Sequence, residues 1–293
     1  MTFSMYRMEH SFEMSYRNDW PISGTLFHSH AFYEIYYFQE GECTYLIGDK
    51  LMALRPGDLI LMHGMTLHSP NPSPGRPYVR SIIHFDPGYV HRLLQPEPAG
   101  ALLRPFEELR NHRISLGEAE RESVENLLFS MNEDFKSRRR QSSTAPVPVD
   151  RLDIRFLELL QLISDWCSGP MDDRSPSPSS ERERHVQEVV SYLEEHYREE
   201  VTLEAIAASL HLSKPYLANL FRKVTGTTIF KYLHNRRLNQ AKILFRFDPS
   251  RSVSSVCREV GFVHPAHFSR LFKESEGVSP EVYRRRMREL SER

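Results

Sequence analysis

Short runs of aromatic and β-branched residues alternate with turn-forming breaks in the first third of the chain. The runs lie at residues 32–38, 44–47, 59–62 and 78–85. The breaks between and within them lie at residues 40–42, 48–49, 55–58 and 69–77, and most contain glycine, proline or aspartate. Runs and breaks at these intervals are typical of a small antiparallel barrel or sandwich. The pattern therefore predicts an all-β unit from about Thr25 to Phe85.

Helical spacing of apolar residues follows the β pattern. Ser115 with Glu118 three residues later predicts a capping box that opens a helix running to about Phe135. A second predicted helix begins after Asp150 and ends before Gly169. Its apolar stripe consists of Phe156, Leu157, Leu160, Ile163 and Trp166 or Cys167. The stripe leaves two interpretations open, which are packing onto the β unit and a helix pair that also forms a homodimer interface.

Two similar pairs of short helices are predicted near the end of the chain, after a lead helix at about residues 185–196. In the first pair a break at residues 211–213 precedes a helix that Ser213 caps and that carries Pro215 in its first turn. The pattern recurs about 50 residues later, with Gly261-Phe262 as the turn. These spacings predict helix-turn-helix units at about residues 202–224 and 252–274.

The outward faces of the second helix in each pair combine basic, aromatic and small polar side chains. Such faces suit base edges in a major groove and the flanking phosphates, so we expect double-stranded DNA as a partner. The candidate DNA-binding residues are Ser213, Lys214, Tyr216, Asn219, Arg222 and Lys223 in the first unit, and His264, His267, Ser269, Arg270 and Lys273 in the second. One such helix pair is often only a hairpin inside a core, but two tandem copies with basic faces favour DNA binding.

Charge is divided unevenly along the chain. Residues 182–293 hold 20 Lys or Arg and 14 Asp or Glu, whereas the rest of the chain holds 18 and 25. An excess of positive charge in the predicted helical region is compatible with phosphate binding. The change in charge and the Ser- and Pro-rich segments together predict four parts of the chain. These are a β domain at 1–112, a helical connector at 113–168, a linker at 169–181 and a DNA-binding domain at 182–293.

The broad class of protein follows from what the sequence lacks. It contains no apolar run of the roughly 20 residues that a membrane helix needs, and its first 18 residues are too polar for a secretory signal. Its cysteines, Cys43, Cys167 and Cys257, lie too far apart to form a disulfide framework or a metal motif. We therefore expect a cytoplasmic protein with no membrane partner.

Motifs across about residues 202–285 resemble the signature of the AraC/XylS family of transcription regulators. In chain order they are Leu203-Glu204-Ala205-Ile206-Ala207, Ser213-Lys214-Pro215-Tyr216-Leu217, Leu220-Phe221-Arg222-Lys223, Gly226, Tyr232 and Arg237, then Gly261-Phe262, His267-Phe268-Ser269-Arg270-Leu271-Phe272-Lys273, Gly277, Ser279-Pro280 and Tyr283-Arg284. The resemblance implies two helix-turn-helix subdomains joined by a central helix from near Ile229 to about Leu244 or Phe245. It also implies a homodimer that contacts RNA polymerase.

The β region resembles cupin barrels in two motifs. The first contains His28-Ser29-His30, Glu34 and Gly41, and the second contains Pro56-Gly57-Asp58 with His68. In metal-binding cupins these positions supply three imidazoles and one carboxylate, so the resemblance implies an effector site, or a site for a divalent metal, at His28, His30, Glu34 and His68. His63 and Met65 stand where proline and glycine are usual, and we expect them to displace the loop that presents His68.

Three uses of this polar cluster stay open at the level of sequence: a bound metal, a direct pocket for an organic ligand such as a sugar, and a structural hydrogen-bond cluster. No separate acid and base pair stands out in the sequence, so we expect no enzymatic activity. The alternative is a metal-dependent cupin enzyme fused to a DNA-binding module. The sequence does not identify the effector, the operator, the sign of regulation or the oligomeric state. The family resemblance is compatible with a transcription activator.

The sequence as a whole thus predicts a two-domain α+β protein. Its N-terminal part is a cupin-like antiparallel β-barrel with appended helices, and its C-terminal part is an all-α double helix-turn-helix. The predicted function is a sequence-specific DNA-binding transcription regulator controlled by a small molecule.

Overall fold

The computed structural model describes residues 10–20, 27–140, 149–168 and 180–291. The strands of these residues are β1 Phe12–Asn18, β2 Tyr33–Gly41, β3 Cys43–Ile47, β4 Lys50–Leu54, β5 Asp58–Met62, β6 His68–Pro72, β7 Tyr78–Phe85 and β8 His112–Ser115. They form an antiparallel five-stranded sheet in the order β1-β7-β2-β5-β8 and an antiparallel three-stranded sheet in the order β4-β3-β6. The predicted cupin-like antiparallel β fold is confirmed.

Strand β2 is buried on both of its faces. Tyr36 and Phe38 pack between the two sheets, whereas Ile35 and Tyr37, on the opposite face, belong to a second core that the following helices complete. Successive side chains of a strand point to opposite faces, so a central strand covered on both sides has apolar residues at nearly every position. This explains why β2 has an apolar residue at every position from Tyr33 to Phe38 except Glu34.

The α-helices in the described residues of the N-terminal part are α1 Pro87–Leu93, α2 Pro96–Arg104, α3 Glu118–Arg140 and α4 Arg151–Ser168, with a π-helical segment at Pro105–Leu109. Helices α3 and α4 pack against each other and against the five-stranded sheet. Val124 of α3 and Phe156, Leu160 and Ile163 of α4 are fully buried in that core. Packing onto the β unit is therefore confirmed as one use of the apolar stripe, while a homodimer interface stays a prediction.

The β unit is larger than the predicted residues 25–85, because β1 and β8 lie outside that range. Two further local predictions were also wrong. Ser115 does not open a helix, because it ends β8 and its hydroxyl donates to the carboxylate of Asp58 at 2.7 Å. Residues 69–72 lie in β6 rather than in a loop. Prolines are excluded from central strands because they lack an amide proton, but β6 is an edge strand, and Pro70 and Pro72 are tolerated there.

The helical domain consists of α5 Glu181–His196, α6 Leu203–Ser209, α7 Lys214–Thr225, α8 Ile229–Phe247, α9 Val253–Glu259, α10 Pro265–Glu276 and α11 Pro280–Ser291. Both predicted helix-turn-helix pairs form, and the hydroxyl of Ser213 accepts the amide proton of Tyr216 as expected of a cap. Helix α8 is the predicted central helix, and Gly226 and Gly277 end α7 and α10 in the left-handed conformation. None of the helices in the described part of the chain has the length and apolar character needed to cross a bilayer.

The β unit and the helical domain share a hydrophobic core. Leu46, Leu51 and Leu67 of the β unit are buried in the same cluster as Val190 of α5 and Leu217 of α7. The side-chain amide of Gln187 on α5 adds hydrogen bonds to the backbone amide of Leu51 at 2.9 Å and to the carbonyl of Asp49 at 2.6 Å. The first helix-turn-helix subdomain is thus packed directly on the hairpin of β3 and β4.

Candidate functional site

Imidazole rings converge on one buried carboxylate at an end of the barrel. The Nε2 atoms of His30, His84 and His68 lie 2.9, 3.1 and 3.5 Å from Oε2 of Glu34. The ring of His28 packs edge-on against that of His68, with centroids 4.0 Å apart. The structure therefore brings together all four residues predicted for an effector or metal.

His84 is a member of this cluster that the sequence reasoning missed. It lies on β7 directly opposite Glu34 of β2 in the antiparallel register. Opposed residues of paired strands have their side chains on the same face of the sheet, so the pairing itself places His84 in the cluster. The available signal was a histidine between Ile83 and Phe85, in the apolar second half of β7.

Backbone contacts hold His28 and His68 side by side. The amide of His28 donates to the carbonyl of His68 at 3.1 Å, and the amide of His68 donates to the carbonyl of His28 at 3.0 Å. We expected the loop before His68 to be displaced, but it holds His68 in the cluster. The amide of Met65 in this loop donates to the carbonyl of His30. Met65 adopts a φ of 67°, which is the left-handed conformation that the usual glycine would adopt, so the loop backbone forms without that glycine.

The electrostatics of the cluster are set by burial and by the imidazoles. Burial by itself would raise the pKa of Glu34, but the surrounding His84, His30 and His68 outweigh it and hold that pKa well below its usual range. Burial, followed by the neighbouring His28, lowers the pKa of His68 well below its usual value. The cluster is therefore an ionised carboxylate among imidazoles, with His68 neutral.

The donor set fits a divalent metal as well as a hydrogen-bonding ligand. The ligand atoms of His28, His30 and His68 lie within 4.8 Å of one another, and so do those of His30, Glu34 and His84. Imidazole and carboxylate together suit Zn, Fe, Mn or Ni. A metal would be held by these residues and would supply a Lewis-acidic centre for an oxygen-bearing ligand. The same atoms also suit hydroxyl groups, because the carboxylate accepts and the imidazoles donate or accept hydrogen bonds.

The candidate DNA-facing side chains of α7 all lie at the surface. Ser213, Lys214, Tyr216, Asn219, Arg222 and Lys223 are exposed. Lys214 pairs with Glu204 at 2.6 Å, but both groups are solvated, so the pair is weak and easily exchanged for a phosphate. The β unit contacts α7 through the apolar cluster on its inner face and, near its C-terminal end, through Asn71, which donates to the carbonyl of Val224 at 2.8 Å. The outward face stays open.

The second candidate reading helix, α10, is also open. His264, Arg270 and Lys273 are exposed, while His267 and Ser269 are partly buried. The ring of His267 packs against those of His234 and Phe262, with centroids 5.4 and 5.9 Å away. Arg270 forms an exposed pair with Glu274 at 2.7 Å. The outward faces of α7 and α10 thus differ, because His267 of α10 packs against rings of its own domain.

A β-barrel with a polar cluster at one end, joined to two tandem helix-turn-helix units with exposed reading faces, defines a ligand-responsive DNA-binding regulator. Residues 15–162 match the model of the AraC-like ligand binding domain, and residues 206–286 match the model of a helix-turn-helix domain. The chain belongs to the AraC family of transcription regulators, as its motifs predicted.

Several known proteins are similar to this chain. The HTH-type transcriptional regulator YisR of Bacillus subtilis strain 168 is 30% identical over 184 residues, which are 61% of this chain and 58% of that protein. The arabinose operon regulatory protein of Escherichia coli K12 is 26% identical over 243 residues, 78% of this chain and 72% of that one. Among solved structures, apo ToxT K231A from Vibrio cholerae is 12% identical, covers 94% of this chain and 97% of its own, and has a TM-score of 0.39.

Proposed function

We propose that the chain binds a specific site on double-stranded DNA with α7 and α10, and that a small molecule at the histidine cluster controls this binding. The observation that carries the proposal is the pair of tandem reading helices whose polar and basic faces are exposed in the intact two-domain chain. An effector shifts binding only to the extent that it favours one arrangement of the domains over another.

Arg222 and Arg270 are the strongest candidates for sequence recognition. Both are exposed on the outward faces of their helices. An arginine that contacts guanine bidentately contributes about 1–3 kcal/mol of discrimination against other bases. Lys214, Lys223 and Lys273 are better suited to phosphates, because an ammonium group is a point charge without the planar fork of arginine.

The test begins with selection of bound sequences from random DNA by the full chain. Arg222→Ala and Arg270→Ala should then each weaken binding to the selected site by about 5- to 150-fold, the equivalent of about 1–3 kcal/mol, and relax the preference at one position. Arg140→Ala, at an exposed site on α3, is the control and should leave affinity unchanged. Wild-type affinity in both test variants would refute the assignment of the reading faces, and an equal loss on every sequence would assign the arginines to phosphates.

The effector class is proposed to be a small hydroxylated molecule such as a sugar. The cluster of Glu34 with its imidazoles offers the acceptor and donor atoms that hydroxyls require, and one matched relative is named for an arabinose operon. A divalent metal held by His28, His30, Glu34 and His68 is the second candidate, favoured by the convergence of the three imidazoles and by the contacts of His30 and His68 with Glu34. Elemental analysis of protein purified without chelators separates the two candidates. A stoichiometric metal would exclude the hypothesis that the cluster binds an organic ligand directly.

The remaining partners follow the family. We propose a homodimer in the cytoplasm that contacts RNA polymerase and has no enzymatic activity. Exposed Phe129 on α3 and Ile154 on α4, at 54% and 58% accessibility, support helix pairing between two chains. Sedimentation of the full chain measures the oligomeric state, and a strict monomer at all concentrations would refute the dimer.

A further inference from the structure

Helix α8 is divided between the two helix-turn-helix subdomains. Its buried residues from Ile229 to Leu233 lie in one hydrophobic cluster with α5, α6 and α7, whereas those from Leu238 to Phe245 lie in another with α9, α10 and α11. Long helices curve, so a single helix fixes the separation of two bodies better than the angle between them. The angle between the reading helices α7 and α10 therefore depends on the contacts that the subdomains make beside α8.

Arg237 makes such a contact at the point where α8 passes from one cluster to the other. Its Nε donates to the carbonyl of Tyr197 at 2.6 Å, and its Nη2 donates to the carbonyl of Glu199 at 2.7 Å. Both carbonyls lie just beyond the end of α5, where the helix dipole favours a positive charge. The guanidinium of Arg237 thus ties the end of α5, in the first subdomain, to the middle of α8.

The turn of the second helix-turn-helix packs against the same place. Cζ of Arg237 lies 5.6 Å from the centre of the Phe262 ring, within the range of a cation–π interaction. Beside Phe262, Gly261 approaches α5 so closely that a Cβ would lie 2.8 Å from the carbonyl oxygens of both Tyr197 and Arg198. The two subdomains therefore meet directly at a junction formed by Tyr197, Arg237, Gly261 and Phe262.

Ring contacts connect this junction to the reading helix α10. The ring of His234 on α8 stacks on that of Phe262, with centroids 5.9 Å apart and an interplanar angle of 22°. His267 of α10, a candidate DNA-facing residue, packs edge-on against both rings. The next residue, Phe268, is fully buried with its ring centroid 5.2 Å from that of Phe262. A displacement of Phe262 therefore displaces α10.

The chemistry of Arg237 suits a role in positioning. The residue is 8% exposed, burial lowers its pKa, and both of its acceptors named above are neutral carbonyls. An apolar side chain would fill this place with a smaller desolvation penalty. The planar fork of a guanidinium, in contrast, holds two carbonyls and one aromatic ring in a fixed arrangement.

We propose that Arg237, with Gly261 and Phe262, is a positioning group that fixes the angle between α7 and α10 and thereby restricts binding to one spacing of the two half-sites. The inference rests on the proposed function and adds a determinant of specificity that touches no base. One base pair inserted between the half-sites separates them by about a further 3.4 Å and rotates one about the duplex by about 35°. A fixed pair of reading helices does not follow this change, whereas a pair joined by α8 alone follows part of it.

The experiment uses the full chain and three duplexes. They are the site selected from random DNA, the same site with one base pair inserted between its halves, and a duplex with only the half that Arg222→Ala assigns to α7. Binding is measured by fluorescence anisotropy for the wild type, Arg237→Gln, Gly261→Ala and Arg258→Gln. The last variant is the matched control, since Arg258 is an exposed arginine on α9.

The insertion should weaken binding of the wild type about 5- to 150-fold, which corresponds to the loss of one bidentate arginine contact. Arg237→Gln removes the fork, and Gly261→Ala forces the junction apart, because its φ of 91° and the carbonyls of α5 both exclude a Cβ. Each of these variants should bind the selected and the inserted duplex with nearly equal affinity. Arg258→Gln should keep the ratio of the wild type.

The duplex with one half-site separates positioning from a general loss of structure. Arg237→Gln and Gly261→Ala should bind it as the wild type does, because the outward face of α7 is unchanged. An unchanged affinity ratio in the folded variants, equal weakening on all three duplexes, or a wild type that tolerates the insertion would overturn the proposed role.

Hydrogen exchange of the free proteins tests the junction without DNA. Amides of residues 197–199 and 261–262 should exchange faster in Arg237→Gln than in the wild type, while those within α7 keep their rates. Equal rates at the junction in both proteins would also overturn the proposal. Failure of the wild type to select any sequence from random DNA refutes the proposed function instead, and the exchange measurement does not depend on it.

Discussion

Leu51 offers a direct test of whether the sensor supports the first helix-turn-helix subdomain. This side chain belongs to the β unit, yet it is 7% exposed and lies in the core that contains Val186, Val190 and Leu217. Replacing a buried leucine with alanine costs about 2–5 kcal/mol. An interface between domains relaxes more readily than a closed core, so we expect Leu51→Ala to cost about 2–3 kcal/mol.

The expected readout is amide hydrogen exchange in α5 and α7. A loss of about 2–3 kcal/mol raises the population of the separated domains about 30- to 150-fold, because each 1.4 kcal/mol is a factor of ten. Amides that exchange through this opening should accelerate by the same factor. The backbone amide of Leu51 keeps its hydrogen bond to Gln187, so the change isolates the apolar contact.

Leu54→Ala is the matched control. Leu54 lies on the same strand and is 6% exposed, but it belongs to the core between the two sheets. Its loss should accelerate exchange in β2, β5 and β7 without the selective effect on α5 and α7. Equal acceleration of α5 and α7 in both variants, or none in either, would refute the idea that the β unit and the first reading subdomain share a core.

Two further predictions concern single positions. His264 begins α10 without a side-chain cap, whereas Ser213 and Ser252 cap their helices, so His264→Ser should stabilise the helical domain by about 0.5–1 kcal/mol. Thermal unfolding checks this, and an unchanged or lower midpoint would contradict it. A Cβ at Gly64 would lie 2.6 Å from the carbonyl oxygen of Ala31, so Gly64→Ala should cost about 1–3 kcal/mol, while Gly100→Ala, with open space in helix α2, should be neutral or stabilising. Equal stability of the two glycine variants would contradict this prediction, because it would show that the loop at Gly64 shifts to accommodate a Cβ without cost.

The sequence was most informative where local chemistry alone decides the structure. The aromatic residues of β2 and the cap at Ser213 act within a few residues, and the strand and the helix start predicted from them both form. Edge strand β6 was missed because Pro70 and Pro72 have the composition of a loop, and only pairing with β3 makes them a strand. His84 was missed for a related reason, since its place beside Glu34 depends on strand register.

The hydrogen bonds that join Ser29, Asn239, Lys242 and Glu276 had no counterpart in the sequence pattern. Ser29 and Asn239 are 210 positions apart and belong to different domains. Asn239 and Lys242 are ordinary polar residues of an amphipathic helix until the β unit covers them. Contacts of this kind depend on how two folded surfaces meet, which periodicity and spacing within either domain do not encode.

The two helix-turn-helix subdomains are held by the β unit at separate places. The first is held through the apolar cluster of Leu51 and through Asn71 at the end of α7. The second is reached through the carbonyl of Ser29, which accepts a hydrogen bond from Lys242 of α8, and Lys242 pairs with Glu276 of α10. The histidine cluster adjoins both contacts, since His28 and His30 flank Ser29 and His68 follows Leu67 of the apolar cluster. Under the proposed function both reading helices bind one DNA duplex, so a change in the position of α10 relative to α7 would alter binding without any change within either helix-turn-helix.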